Sequence, residues 1–424
     1  MKLLPITLAS GAALANVVPM SLHHSRDLPR ELQGRDTSSL VNKNSYYALK
    51  LGIGTPPQDV YLQIDTGSSD TWVGGQYFTP DLSSTYKENL TDPFSIMYGD
   101  GSSASGYYAQ DTISLRDDTN LTLRNANFAY SATSKMTPQV CGIGLTDNES
   151  SNHRYSNLPV QLKEQGHTTA TVYAMRLGTR GSPGQLTFGG LDHSQYDGQL
   201  QTVPLVSSSS FTVALDSVRL GNRTIYGTRQ NVLLDSGTTN LIIPADMADA
   251  ILDGIQPGRK WIPTSGYTVD CAQVTKDKYF ELEFSGARIL LPFTNIVSPE
   301  YLTQNGEVPT HGTCGLGIQT STGSLVILGD RFLTSAYVVY DLDNREVSLA
   351  NARTTDDLLA PHMESVGRNG KIPGAVRAPG YLLASPVSWK AGTPSASEVA
   401  ANRGSRAEFT YSGLCLALLS AILH

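Results

Sequence analysis

The chain has 424 residues and a formal net charge of −7 at pH 7, and its length is enough for two or three domains of roughly 150 residues each. Charged residues make up only 16% of the sequence, against a usual share of ~25%, while glycine, serine, threonine and tyrosine are plentiful. This mixture is typical of a secreted protein built from β-strands and turns. The negative charge, with no basic run interleaved with aromatic residues, argues against a nucleic-acid partner.

The N-terminus has the pattern of a secretory leader. A lysine precedes an apolar run from Leu3 to Leu14, which ends among small residues, so we expect residues 1–15 to be a signal peptide that is removed. The run is shorter than the ~20 apolar residues that a transmembrane helix needs. Residues 16–35 are polar and basic, and we interpret them as a short propeptide that ends near Arg35. A disordered leader is the alternative.

The body of the chain begins at Tyr46 with short β-rich runs separated by turn residues. Tyr46–Leu51 is predicted to be a strand, and Gly52–Gln58 is the turn that follows it. This turn lacks the third glycine of a dinucleotide-binding loop, and two prolines stand where the helix of such a loop would begin. We therefore reject a nucleotide-binding interpretation and expect no cofactor.

A strand that ends on an acidic turn comes next. Val60–Ile64 is predicted to be a buried strand, and it runs directly into Asp65-Thr66-Gly67-Ser68. Glycine allows close approach of the backbone at such a turn, and serine or threonine can donate hydrogen bonds to a carboxylate. A single Asp-Thr-Gly is a weak signal, because these are ordinary turn residues.

The N-terminal half continues with further β elements and one helix. Phe94–Tyr108 is predicted to be a hairpin, and its glycine-rich tip contains Tyr98, Gly99 and Asp100. Leu158–Gln165 has the pattern of a short helix that is ended by a glycine.

The second half repeats the plan of the first. Val232–Leu234 is predicted to be a strand that runs into Asp235-Ser236-Gly237-Thr238, and a helix is predicted over Ala245–Leu252. We therefore expect a two-fold duplication, with an N-terminal lobe over residues 36–200 and a C-terminal lobe over residues 201–354. The chain has no repeat period of 20–50 residues, which excludes solenoids and propellers.

The residues after the two lobes predict a tether and an anchor. Residues 355–403 are rich in alanine, proline, glycine and serine and are interpreted as a linker. Residues 404–424 end in an apolar stretch that is too short to span a membrane, and we expect them to be a GPI-anchor signal that is removed on attachment at Asn402. A buried C-terminal strand and a freely secreted protein with an uncleaved tail are the alternatives.

Passage through an oxidising compartment would permit disulfides and glycans. Cys271 and Cys314 could close a loop in the second half, while Cys141 lies in an apolar run and is interpreted as a buried small apolar residue. Asn-x-Ser/Thr sequons for N-linked glycosylation begin at Asn89, Asn120, Asn148 and Asn222.

Taken together, these motifs resemble those of pepsin-like aspartic endopeptidases over about Tyr46–Arg353. The features that carry the resemblance, in the order of that family, are Asp65-Thr66-Gly67, Trp72, Tyr98-Gly99, Asp235-Ser236-Gly237, Ile327-Leu328-Gly329-Asp330 and Val347-Ser348-Leu349-Ala350. The hairpin tip and the anchor signal are similar to those of fungal GPI-anchored surface proteases of the yapsin type. Two features depart from those relatives: the N-terminal half lacks a usual cysteine pair, and the second motif reads Asp-Ser-Gly.

The resemblance implies an all-β, bilobal fold with few short helices and a central cleft. Each lobe would contribute one carboxyl at the floor of the cleft, which makes Asp65 and Asp235 the catalytic pair. Two carboxyls so close together cannot both ionise without a large cost, so they would share one proton. The ionised carboxylate would activate a water, and the protonated one would polarise the scissile carbonyl. Such chemistry needs no metal.

The resemblance also implies roles for residues around the pair. Thr66 and Ser236 would join the two motifs across the lobe interface, and Trp72 would support the tyrosine of the hairpin, which acts as a flap. Asp70 is left without a role, as a turn residue. The expected substrate contacts are Gly67, Tyr98, Gly99, Asp100, Gly237 and Thr238, and the residues expected to support the pair are Thr66, Ser68, Trp72 and Ser236.

The sequence therefore predicts a monomeric, membrane-anchored endopeptidase that acts on peptides or proteins at acidic pH. It would be made as a zymogen, with His23 and His24 as candidate proton sensors. The alternative is a surface protein of the same fold that binds without cleaving. Such relatives usually lose an aspartate, the flap tyrosine or a supporting hydroxyl, and none of these is lost here. A preference for apolar or for basic side chains is left open.

Overall fold

The computed structural model shows a molecule made mainly of short β-strands. It describes residues 16–25, 28, 46–99, 101–116, 121–134, 138–151, 153–178, 184–321, 323, 325–353 and 359–383. The predicted leader 1–15, Asp100, Asn120, Asn402 and the predicted anchor signal 404–424 lie outside these residues.

The strands are numbered in chain order. Those up to residue 204 are β1 (Val18–His24), β2 (Tyr47–Ile53), β3 (Gln58–Asp65), β4 (Trp72–Gly74), β5 (Lys87–Met97), β6 (Ser103–Leu115), β7 (Thr122–Ser131), β8 (Gln139–Gly142), β9 (Val172–Arg176), β10 (Gly184–Phe188), β11 (Gly190–Asp192) and β12 (Tyr196–Pro204). The strands that follow are β13 (Thr212–Leu215), β14 (Ser217–Leu220), β15 (Arg223–Tyr226), β16 (Gln230–Leu234), β17 (Leu241–Ile243), β18 (Thr268–Asp270), β19 (Tyr279–Phe284), β20 (Ala287–Pro292), β21 (Thr313–Gly315), β22 (Ile318–Thr320), β23 (Val326–Leu328), β24 (Ala336–Asp341), β25 (Glu346–Ala352), β26 (Met363–Ser365) and β27 (Val376–Arg377).

Two helices lie where the sequence predicts them. Helix α1 (Leu158–Glu164) follows the predicted bounds closely. Helix α2 (Ala245–Ile255) runs beyond its predicted end because Ile255 continues its buried face. The single-turn helices α3 (Phe293–Ile296) and α4 (Asp330–Leu333) were not predicted, since one turn is too short to show a helical period. In the described ranges, no helix has the length and apolarity needed to cross a bilayer. The predicted all-β class with few short helices is confirmed.

One sheet is shared by both halves of the chain. Its strands run in the order β27-β12-β25-β24-β9-β10-β1-β2-β6-β7-β4, with β3, β5 and β8 attached beside this path. The halves join where β24 pairs antiparallel with β9, with Val338 opposite Met175. The second half has its own five-stranded sheet, β13-β16-β23-β17-β22, and a four-stranded sheet, β15-β14-β19-β20.

The two faces of the shared sheet serve different cores, because successive side chains of a strand point to opposite faces. Tyr173 and Tyr340 belong to the large core that fills both lobes. Their neighbours Val172 and Val339 belong to a second cluster on the other face.

The predicted duplication is visible in the strands that lead to the two motifs. Strand β3 pairs in parallel with β8, so that Asp65 stands opposite Gly142. Strand β16 pairs in parallel with β23, so that Leu234 stands opposite Leu328. In both halves, therefore, the motif lies at the end of a strand that pairs in parallel with a later strand.

The structure differs from the predicted linker over residues 355–403. Within that range, β26 pairs with β11 and β27 pairs with β12. Val366, Ile372 and Ala378 are buried against the body of the molecule. Residues 359–383 therefore form a strap that covers the second cluster and touches both lobes. Its apolar residues are isolated and follow no strand or helix period, which is why the sequence pattern indicated a linker.

The structure also places part of the predicted propeptide. Strand β1 lies between β10 and β2, with Leu22 opposite Gly184 and His23 opposite Ala48. Met20 and Leu22 are almost completely buried. A disordered leader is therefore wrong for Val18–His24, although the end of the propeptide stays a prediction.

The structure confirms the predicted disulfide and the predicted buried cysteine. Cys271 and Cys314 form a disulfide, with a distance of 5.1 Å between their Cα atoms. Cys141 is a buried free cysteine, and burial raises the pKa of its thiol to about 12, which makes it unreactive.

We expect the strap to contribute to stability. Val366 is 0% exposed, whereas Val376, on the same strap, is 47% exposed. Val366→Asp should lower the free energy of unfolding by about 3 kcal/mol, because the new carboxylate is buried without a partner. Val376→Asp is the matched control and should have little effect. Equal midpoints for the two variants in thermal unfolding would show that the strap is not packed.

Candidate active site

Each motif aspartate is held by backbone hydrogen bonds at the end of its strand. The amide of Ile143 donates to the carbonyl oxygen of Asp65 over 2.9 Å, and the amide of Asp235 donates to the carbonyl oxygen of Leu328 over 3.2 Å. The adjoining parallel strand thus fixes where each aspartate leaves the sheet. Both aspartates are buried.

The two aspartates meet across the lobe interface. A hydrogen bond joins their carboxyl groups. The glycine of each motif lies against the aspartate of the other lobe: a Cβ atom on Gly67 would lie 2.6 Å from Cγ of Asp235, and one on Gly237 would lie 2.5 Å from Oδ1 of Asp65. Only residues without a side chain allow this approach.

A reciprocal set of hydrogen bonds holds the motifs together behind the carboxyls. The hydroxyl of Thr66 donates to the carbonyl of Leu234 over 2.8 Å, and the hydroxyl of Ser236 donates to the carbonyl of Ile64 over 2.9 Å. The hydroxyl of Ser236 also accepts the backbone N–H of Thr66 at 3.2 Å, and the hydroxyl of Thr66 accepts the backbone N–H of Ser236 at 3.0 Å. The structure thus brings Thr66 and Ser236 together as the resemblance implied.

The two carboxyls have unequal sets of donors. Asp65 accepts hydrogen bonds from the amides of Gly67 at 2.8 Å and Ser68 at 3.2 Å, and from the hydroxyl of Ser68. Asp235 accepts from the amide of Gly237 at 2.8 Å and from the hydroxyl of Thr238 at 2.7 Å. Asp65 therefore has one more donor to stabilise a negative charge.

The electrostatics favour a retained proton at the pair. Burial and the neighbouring carboxylate of Asp65 raise the pKa of Asp235 above its ordinary value. A third buried carboxyl, Asp330, follows β23, and its amide donates to the carbonyl oxygen of Thr238 over 2.8 Å. Burial raises the pKa of Asp330 well above its ordinary value. With one proton retained, the carboxyls of Asp65 and Asp235 can act as an acid and a base at the same time.

The predicted flap lies where β5 turns into β6. The indole N–H of Trp72 donates to the hydroxyl of Tyr98 over 2.8 Å, and the amide of Tyr98 donates to the carbonyl of Ser102 over 2.8 Å. Gly99 is exposed at the tip. The structure therefore brings Trp72 to Tyr98, as expected, and leaves the tip accessible.

Two side-chain amides at the site were missed by sequence reasoning. Gln63 donates from Nε2 to the carbonyl oxygen of Gly237 over 2.9 Å, and Asn148 donates from Nδ2 to the carbonyl oxygen of Gly67 over 3.1 Å. The carbonyl of Gly67 belongs to the same planar peptide as the amide of Ser68, which contacts Asp65. Asn148 thus orients a donor of the pair. The position of Gln63, two residues before Asp65, was the one available signal.

Asp70 is a buried residue with several hydrogen-bond partners, whereas the sequence suggested only a turn residue. It is 0% exposed. Its carboxylate accepts hydrogen bonds from the hydroxyls of Tyr108 at 2.6 Å and Tyr155 at 3.0 Å, and from the amide of Ser150 at 2.7 Å. Asp70 therefore ties the first motif to the base of the flap. Its partners are distant in sequence, so no local pattern could reveal them.

The comparison with known families agrees with this geometry. The family model described as eukaryotic aspartyl protease matches residues 46–352. The chain belongs to this family. It is an aspartic endopeptidase, a hydrolase whose substrates are peptides or proteins.

Fungal proteases are among the similar sequences. The acid protease of Saccharomycopsis fibuligera is 37% identical, over 75% of this chain and 83% of that protein. The aspartic proteinase yapsin-3 of Saccharomyces cerevisiae is 34% identical, over 84% of this chain and 75% of that protein. These relatives confirm the predicted resemblance to fungal pepsin-like proteases.

A solved structure supports the fold. The crystal structure of the aspartic proteinase from Irpex lacteus superposes with a TM-score of 0.64 at 23% identity, covering 81% of this chain and 100% of that one. This confirms the predicted bilobal, pepsin-like fold. Among the residues that the structure describes, no group of three or more His, Cys, Asp or Glu side chains is placed to hold a metal ion.

The raised carboxyl pKa values make stability depend on pH. Besides Asp235 and Asp330, burial raises the pKa of Glu149 to about 9 and that of Asp341 to about 6. The folded protein then binds more protons than the unfolded chain above pH ~4, so stability falls as pH rises. We expect the melting temperature to decrease between pH 4 and pH 8.

Glu149→Gln tests the cause, because glutamine can still accept the amide of Tyr155 that Glu149 accepts at 2.9 Å. This variant should flatten the decrease between pH 5 and pH 8. A wild-type melting temperature that rises over this range would contradict the prediction.

Proposed function

We propose that this protease is a secreted, GPI-anchored zymogen that hydrolyses peptide bonds at acidic pH. Asp65 and Asp235 activate the attacking water. The single observation that carries the proposal is the contact between two buried carboxyls on the ends of β3 and β16, with unequal donors. Secretion is supported by the predicted leader and by the disulfide, which suits an oxidising compartment.

The proton sits on Asp235 before reaction. Asp65, which has more donors, is the ionised member and takes a proton from a water that lies between the carboxyls. The hydroxide so formed adds to the scissile carbonyl carbon, and Asp235 gives its proton to the carbonyl oxygen. The tetrahedral intermediate breaks as the leaving nitrogen receives the proton from Asp65 and Asp235 recovers its own. Above the raised pKa of Asp235 both carboxyls are ionised and this cycle stops.

Substrate is held by the flap and by the backbone of the motifs. The carbonyl oxygens of Gly67 and Gly237 each accept one side-chain amide, and the second lone pair of each is free for a peptide N–H. Tyr98 closes over the bound peptide while Trp72 holds its hydroxyl. Gly99 and Thr238 complete the contacts.

The zymogen proposal rests on residues 16–35 and their place in the structure. Strand β1 lies inside the shared sheet, so cleavage near Arg35 would have to be followed by departure of a buried strand. His23 packs edge-on to Tyr61 at 5.9 Å, and its Nε2 is buried without a hydrogen-bond partner in the described residues. The predicted role of His23 and His24 as proton sensors belongs to this proposal.

The anchor is proposed from sequence. Residues 384–403 would lead from the strap to attachment at Asn402, and the protein would reside at the cell surface as a monomer. A pepsin-fold protein that binds without cleaving is not favoured, because both aspartates, the flap tyrosine and the supporting hydroxyls are all present. The hydroxyls of Ser68 and Thr238 donate to the two carboxyls, and the hydroxyl of Tyr98 accepts the indole N–H of Trp72.

The test is digestion of a mixed peptide library between pH 3 and pH 7 by the matured protein, with and without pepstatin. Asp235→Asn should lower kcat by about 10⁴-fold or more, because the side-chain amide of asparagine is not acidic enough to transfer a proton to the carbonyl oxygen. Asp81→Asn changes an exposed aspartate away from the pair and should cleave like the wild type.

Acid-dependent cleavage that both pepstatin and Asp235→Asn abolish would support the proposal, and the cleaved bonds would separate apolar from basic preference. A matured, folded protein that cleaves nothing in the library would contradict it.

A further inference from the structure

An open cavity lies at the base of the flap hairpin. Strands β5 and β6 change register there: Asn89 stands opposite Tyr108 and Pro93 opposite Tyr107, so the residues between Asn89 and Pro93 bulge from the ladder. The cavity has a volume of about 330 Å³, within the range of ~300–1,000 Å³ that ligand pockets occupy. Its lining contains neither catalytic aspartate.

The cavity offers polar groups, and its lining ranges from exposed to buried residues. Its lining includes Lys87, Asp92, Gln110 and the rings of Tyr108 and Tyr155. Asp92 is 8% exposed. One of its oxygens, Oδ2, accepts the hydroxyl of Ser151 over 3.1 Å, but Oδ1 is buried without a hydrogen-bond partner in the described residues. A buried acceptor without a partner is costly. A turn of the Asp92 carboxyl group would offer Oδ1 to a molecule in the cavity that brings hydroxyl donors.

A sequon asparagine stands at the rim of this cavity. Asn89 is exposed and belongs to the cavity lining. Its Oδ1 accepts hydrogen bonds from the amide and the hydroxyl of Thr91, at 3.2 and 2.7 Å. The side-chain nitrogen Nδ2 has no partner in the described part of the chain, so it can carry a sugar without breaking a contact.

The other described sequons differ from Asn89. The Nδ2 of Asn148 already donates to Gly67 beside the catalytic pair, so a sugar there would crowd the cleft. Asn222 lies in the exposed turn between β14 and β15 and does not line the cavity.

We propose that Asn89 carries an N-linked glycan whose first sugar occupies this cavity and donates a hydroxyl hydrogen bond to Asp92. In the modification, Nδ2 of Asn89 loses a proton and bonds to the anomeric carbon of a lipid-linked oligosaccharide, which releases the lipid diphosphate. The inference rests on the proposed secretion. The seated sugar fills the space beneath the bulge and braces the strand that leads to Tyr98.

The test uses the full chain secreted from a glycosylating yeast. An N-glycosidase that cuts at Nδ2 converts each occupied asparagine to aspartate, and peptide mass spectrometry measures this conversion site by site. We expect Asn89 to be occupied. Its release from the native protein should be at least tenfold slower than from the denatured protein, whereas Asn222, where occupied, should show little difference.

Asp92→Ala should leave Asn89 occupied and bring its native release rate up to the denatured rate, because the hydrogen bond to the sugar is lost. Asp81→Ala, at an exposed aspartate that does not line the cavity, is the matched control and should keep the slow release. Should Asp92→Ala fail to fold, the native and denatured rates of the wild type still decide.

Three results would overturn the inference. Equal native and denatured rates at Asn89 would show that its sugar is not seated. An unoccupied Asn89 beside an occupied Asn222 would overturn the inference and leave secretion standing. Sequons that are all unoccupied would contradict both this inference and the proposed secretion.

Discussion

The contact between the carboxyls of Asp65 and Asp235 constrains the rest of this molecule. Two buried carboxyl groups can lie in contact only if the ends of both strands are fixed and no side chain lies between them. One of the two must also remain protonated. Parallel partners fix the strand ends, and Gly67 and Gly237 leave the space empty. Burial raises the pKa of Asp235 so that the proton is kept. The cross-lobe hydrogen bonds of Thr66 and Ser236 then hold this costly arrangement in place.

The shared sheet connects the two lobes around this contact. One face packs against the core that supports the motifs, and the other carries the cluster under the strap. Strand β1 fills the space between β10 and β2, and the strap, residues 359–383, covers the second cluster. The strap and β1 thus stabilise the surface on which the lobes meet, although neither contributes a side chain to the contact between Asp65 and Asp235.

The sequence predicted those residues of the site that lie within short local motifs. Asp65, Asp235 and their hydroxyl neighbours lie within short motifs after apolar strands, and Trp72 with Tyr98 followed from the resemblance. Gln63, Asn148 and Asp70 were missed because their partners lie in other loops or in the other lobe. The strap was missed because its buried residues, such as Val366, are isolated in a polar stretch. Long-range packing, and not local propensity, decides these features.

The most direct test of this account is the activity of Gly237→Ala. Its new Cβ would lie 2.5 Å from Oδ1 of Asp65, so the carboxyls must separate, and kcat should fall by about 10³-fold or more because their shared proton and water are lost. Gly323→Ala, where a Cβ would meet nothing within 4 Å, should retain wild-type kcat. A Gly237→Ala enzyme with kcat within tenfold of the wild type would contradict the claim that contact between the carboxyls organises the site.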